Sequence, residues 1–117
     1  MAVAEEFSNQ IAPFLWMEHE EEASVCLYAG EYLQELFDAR RGEGFLGNGY
    51  DWESLARGWI REKAPELTDR IEFDSEAGMF CAYSEDREAL RRFILGFKSA
   101  CEDRDAIQDL LSRAEPG

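Results

Sequence analysis

Two wide apolar stripes at helical spacing do most to limit how this chain can fold. Trp52, Leu55, Ala56, Trp59 and Ile60 recur at i, i+3, i+4, i+7 and i+8. Leu90, Phe93, Ile94, Phe97 and Cys101 form a second such face. Helices this amphipathic need a large apolar surface to pack on. Two strand pairs can supply it. Phe14-Leu15-Trp16-Met17 and Ala23-Ser24-Val25-Cys26-Leu27-Tyr28 flank a short acidic stretch and read as a hairpin with its acids at the tip. Ile71 and Phe73 alternate with polar residues, Ser75-Glu76-Ala77-Gly78 makes a turn, and Met79-Phe80-Cys81-Ala82-Tyr83 returns.

Each hairpin is followed by helices. Tyr32, Leu33, Leu36 and Phe37 predict a helix closed by Arg40, Arg41 and a left-handed Gly42. Asp51 is the expected N-cap of the helix bearing Trp52 and Trp59, and Pro65 ends it. Ser84 is the expected cap of the next, and Gly78 is expected in the left-handed region. Ala106, Ile107, Leu110 and Leu111 mark a short last helix. The order is ββααββαα. It predicts an α+β fold of two layers, a mostly antiparallel sheet of about four strands with helices packed on one face.

With 117 residues, the chain suits one domain spanning 1–117. Residues 1–12 read as a leader or loose helix, and 113–117 as a loose tail. No basic n-region with an apolar core opens the sequence, and no run reaches membrane-spanning length, so a cytoplasmic protein is expected. Three cysteines, Cys26, Cys81 and Cys101, are an odd number without C-x-x-C spacing, and buried free thiols in a reducing compartment fit them.

Charge narrows the choice of partner. Twenty-six acids face 12 bases, for a net charge of -14. Residues 1–39 carry nine of the acids and no Lys or Arg. Such a field repels nucleic acid and anionic membrane and speeds encounter with basic proteins, although it also serves solubility alone.

Catalytic templates fail in turn. Gly42-Glu43-Gly44-Phe45-Leu46-Gly47 spells G-x-G-x-x-G, but it follows a helix and carries an acid, so no dinucleotide site is expected. His19 is the only histidine and has no metal-ligand spacing to a second. No G-x-S-x-G occurs, and strand cysteines among apolar neighbours make inert thiols. The expectation is no catalytic residue, no metal and no cofactor. Phe45 and Tyr50, in the glycine-rich loop, are either anchors packed on the domain or exposed contacts for a partner.

Gly47-Asn48-Gly49-Tyr50-Asp51-Trp52, with Gly30-Glu31-Tyr32-Leu33, Ile71-Glu72-Phe73-Asp74 and Gly78-Met79-Phe80-Cys81-Ala82-Tyr83, resembles the immunity protein 51 family. The resemblance spans about residues 14–103. These are small cytoplasmic partners of bacterial polymorphic or contact-dependent toxins. It implies a protein that binds a cognate toxin domain and holds it inactive, many such toxins being basic nucleases. It brings no catalytic residues with it. On this reading Glu20, Glu21, Glu22, Glu31, Glu35, Asp38 and Glu43 are the candidate acidic contacts, with Phe45 and Tyr50 as apolar anchors. The alternatives are an acidic nucleic-acid mimic or general protein-interaction module, and a small enzyme with no recognisable site.

Overall fold

A computed structural model describes residues 2–117, with side chains from Glu6 onward; Met1 and the side chain of Glu5 lie outside the described residues. Helix α1 (Ala2–Ile11) leads into strands β1 (Leu15–Glu18) and β2 (Ala23–Tyr28). A short α2 (Gln34–Asp38) and α3 (Gly49–Lys63) follow. Then come β3 (Glu72–Phe73), β4 (Met79–Ser84), α4 (Arg87–Glu102) and α5 (Arg104–Arg113). The strands form one sheet in the order β1-β2-β4-β3, and every pairing is antiparallel. The α+β architecture and the ββααββαα order therefore hold, with α1 placed in front.

The core lies between one face of the sheet and the helices. Val25, Leu27, Phe80 and Ala82 point into it from the sheet. Trp52, Leu55, Trp59, Leu90, Phe93 and Phe97 meet them from α3 and α4. Phe14 stands at the centre, its ring edge-to-face with Tyr32, Trp52, Phe80 and Phe97 at 5.9–6.2 Å. Such pairs add about 0.5–1.5 kcal/mol each beyond their buried area.

The leader is helix α1, and both it and the tail make contacts with the rest of the fold. Phe7 and Ile11 are buried in the core, and Lys98, itself buried, donates from Nζ to Gln10 O at 3.3 Å. The tail is fixed at Gly117, whose N–H donates to Asp51 Oδ1 at 2.9 Å, and at Glu115 O, which accepts from Ser54 Oγ at 2.6 Å. The helix expected from Tyr32 begins only at Gln34. Leu33 sits at φ 53°, outside helical backbone, while the Tyr32 ring stacks on Trp52 at 5.9 Å. Gly42 and Gly78 are not left-handed; Gly44 and Gly47 are, at φ 103° and 79°. Asn48, not Asp51, caps α3, and Asp86, not Ser84, caps α4, accepting from Ala89 N–H at 3.1 Å. Ser84 Oγ instead accepts from Asp86 N–H at 2.9 Å.

Candidate functional site

In an antiparallel sheet, directly paired residues share a face. The pairs Trp16↔Val25, Val25↔Ala82 and Leu27↔Phe80 therefore mark the helix-covered face. The pairs Leu15↔Cys26, Cys26↔Cys81, Met17↔Ser24, Ser24↔Tyr83 and Tyr28↔Met79 mark the other. A two-layer fold places polar side chains on that outer face. Here it carries Leu15, Met17 and Tyr28, exposed to 46%, 40% and 68%, with Met79 and Tyr83 half-buried beside them. Cys26 is buried beneath these neighbours and Cys81 is half-buried opposite it.

Acids rim this apolar strip. Glu20, Glu21 and Glu22 form the tip of the β1–β2 hairpin, where His19 N–H donates to Glu22 O at 2.9 Å and His19 Nε2 lies 3.0 Å from Ser24 Oγ. Arg87 at the start of α4 holds the tip by its backbone. Its guanidinium donates to His19 O, to Glu22 O and to Glu18 Oε1, at 2.8, 3.2 and 2.8 Å. The carboxylates of Glu20, Glu21 and Glu22 have no ion-pair partner among the described residues, nor do those of Glu72 and Asp74 on the other side. Their field is felt on the sheet: Glu72 first, then desolvation, then Glu22 and Asp74 push the Tyr83 hydroxyl above its ordinary value. A cleft of about 280 Å³ opens between them, lined by Glu22, Glu72, Tyr83, Asp69, Glu85 and the Arg70–Asp86 pair.

The residues expected to meet a partner divide accordingly. Glu20, Glu21 and Glu22 stand together at the rim. Glu31 is exposed beyond the far end of β2. Glu35, Asp38 and Glu43 are matched within the chain, by Arg104 at 3.4 Å, Arg41 at 2.5 Å and Arg40 at 2.7 Å. They lie around α2 beside α5, where Arg40 also reaches Leu111 O. Phe45 takes the packed alternative: it is fully buried against Phe37 with Arg40 over its ring at 4.6 Å, so it cannot anchor a partner on the surface. Tyr50 is 44% exposed. Leu15, Met17, Tyr28, Glu72, Asp74 and Tyr83 were not among the expected contacts. For Leu15, Met17, Tyr28 and Tyr83 the signal was readable, since β1, β2 and β4 are largely apolar at both alternating positions.

The glycine-rich loop is a structural knot. The Asp51 carboxylate is buried and accepts from Leu46 N–H at 2.7 Å, Gly47 N–H at 2.8 Å and Gly117 N–H at 2.9 Å. Asn48 Oδ1 accepts from Asp51 N–H at 2.9 Å. Gly49 donates to Ala77 O at 2.9 Å, and a Cβ there would collide with the carbonyls of Glu76 and Met79. Gly47-Asn48-Gly49-Tyr50-Asp51-Trp52 thus joins loop, helix, hairpin and tail, and Tyr50 alone points outward.

A sequence model of the family described as immunity protein 51 matches residues 14–116. The chain belongs to the immunity protein 51 family. No curated protein and no solved structure matches it. Membership makes it an immunity protein, a generally non-catalytic class whose partner is a toxin. Among the described residues no group of three or more His, Cys, Asp or Glu side chains could hold a metal ion, and no helix is long and apolar enough to cross a membrane. An exposed apolar strip of this kind is a typical protein-contact surface.

Proposed function

We propose that this immunity protein neutralises a basic, nuclease-type toxin domain in the bacterial cytoplasm, as part of a polymorphic or contact-dependent system. It does so by laying the outer face of its sheet against the toxin, over the active site or an adjacent exosite. The observation that carries this reading is the exposed row of Leu15, Met17 and Tyr28 bounded by unmatched Glu20, Glu21, Glu22, Glu72 and Asp74. A nuclease must be basic where it holds phosphates. The acids steer it in and meet its Lys and Arg, while the apolar centre supplies the desolvated contacts that carry affinity. A nucleic-acid mimic would need regularly spaced carboxylates along its surface. The apolar centre favours a specific protein partner over that alternative.

The test is co-expression. The C-terminal domain encoded immediately upstream is produced in a bacterial host with and without this protein. Survival only in its presence, with a complex that co-purifies, is the expected result. A lethal domain that is neither bound nor neutralised sends the reading to another partner.

A further inference from the structure

Cys26 and Cys81 lie 55 positions apart in sequence, yet they are direct partners across β2 and β4, with Sγ atoms 3.1 Å apart. Their place in the ladder follows from neighbouring bonds. Cys81 O accepts from Asp74 N–H at 3.0 Å, and Cys81 N–H donates to Ser75 Oγ at 3.1 Å. Both backbone groups of Cys81 therefore turn toward β3 and away from β2. Ala29 N–H, three pairs along, donates to Gly78 O at 3.0 Å, and the alternation of the ladder again makes Cys26–Cys81 a non-hydrogen-bonded pair. Such pairs bring Cα atoms to about 4.5 Å, inside the window of roughly 4.4–6.8 Å that a disulfide spans. The third thiol, Cys101, belongs to the core on the opposite face. The Cys26 thiol is lowered by its hydrogen bond with Cys81 and then by Ser24, against the effect of burial, so one thiolate of the pair is favoured.

We propose that Cys26 and Cys81 form a reversible disulfide modification site at the centre of the outer sheet face, closed by a small disulfide oxidant such as glutathione disulfide. One thiolate of the pair attacks one sulfur of glutathione disulfide and expels a glutathione thiolate. The other sulfur of the pair, deprotonated, then attacks the protein sulfur of the mixed disulfide and expels the second glutathione. The two protein thiols lose two protons and two electrons in all, and one glutathione disulfide becomes two glutathiones. The bond needs no partner protein. Where the outer face does bind a toxin, the bond sits beneath that contact.

The test uses the folded full chain and glutathione disulfide, read by intact mass and by peptide mapping without reduction. The expected result is a loss of two hydrogens, a linked peptide pair containing Cys26 and Cys81, return to the starting mass with dithiothreitol, and no such loss in Cys81→Ser. A chain that does not react, or that stops at a persistent glutathione adduct, overturns the proposal. Because the wild-type chain gives the decisive reading, a variant that fails to fold leaves the test intact.

Discussion

At the residue scale, Asp51 and Tyr50 separate structure from surface within one short string. Asp51 accepts three backbone N–H bonds, from Leu46, Gly47 and Gly117. Asp51→Ala strands those donors and should cost about 2–4 kcal/mol in urea unfolding. Tyr50→Ala, at an exposed site, should change stability by no more than about 0.5 kcal/mol. Gly96→Ala belongs here too. Its Cβ would lie 2.5 Å from the Trp59 ring, and forcing that ring aside should cost about 1–3 kcal/mol. Trp52 was legible as core because its helical spacing declares a buried face. Local sequence points to Asp51 as a cap because it shows which side chains can reach a helix end, while the bond to Gly117 depends on chain return from 66 residues away. Phe45 is ambiguous in sequence for a similar reason: an aromatic in an aperiodic loop carries no sign of which way it turns.

At the element scale, helix and strand periods gave the right elements, and the tertiary fit decided their ends. α2 is shorter than its apolar pattern because Tyr32 leaves the helical path to stack on Trp52. In α1, Phe7 and Ile11 are too few to define a stripe in sequence; their burial comes from the α4 surface they meet, where Arg91 also covers the Phe7 ring at 4.5 Å. The cap of α4 gives a prediction with a definite sign. The Ala89 N–H, and after it Arg70, hold the exposed Asp86 carboxyl below its usual range. A folded pKa below the unfolded one contributes stability above the unfolded value, and that contribution is lost as pH falls through the folded value. Asp86→Asn should therefore lose less stability than the wild type between neutral and acid pH, read from denaturation midpoints. Arg87 gives another. Arg87→Ala frees the carbonyls of His19 and Glu22, and amide exchange at the β1–β2 tip should accelerate while α3 stays protected.

At the scale of the whole molecule, charge and apolar surface are sorted by face. Around α2 the acids are answered by Arg40, Arg41 and Arg104; on the outer sheet rim Glu20, Glu21, Glu22, Glu72 and Asp74 have no ion-pair partner among the described residues. Composition revealed the acidity but not this sorting, because ion pairs such as Glu35–Arg104 join residues 69 positions apart. The uncovered apolar row shows instead in the strand pattern, where the positions facing away from the helices are also apolar. The sorting bears on kinetics. Association with a basic toxin domain should slow markedly as salt rises from low to physiological, since the exposed rim is screened over roughly 8–10 Å. The most direct measurement compares affinity for the toxin domain between two charge-reversed variants, Glu22→Lys with Glu72→Lys on the outer rim, and Glu35→Lys with Glu43→Lys beside α5. The account predicts that the rim variant binds at least about tenfold more weakly and the other is nearly unchanged. A rim variant that binds like the wild type while the α5-side variant fails would contradict it.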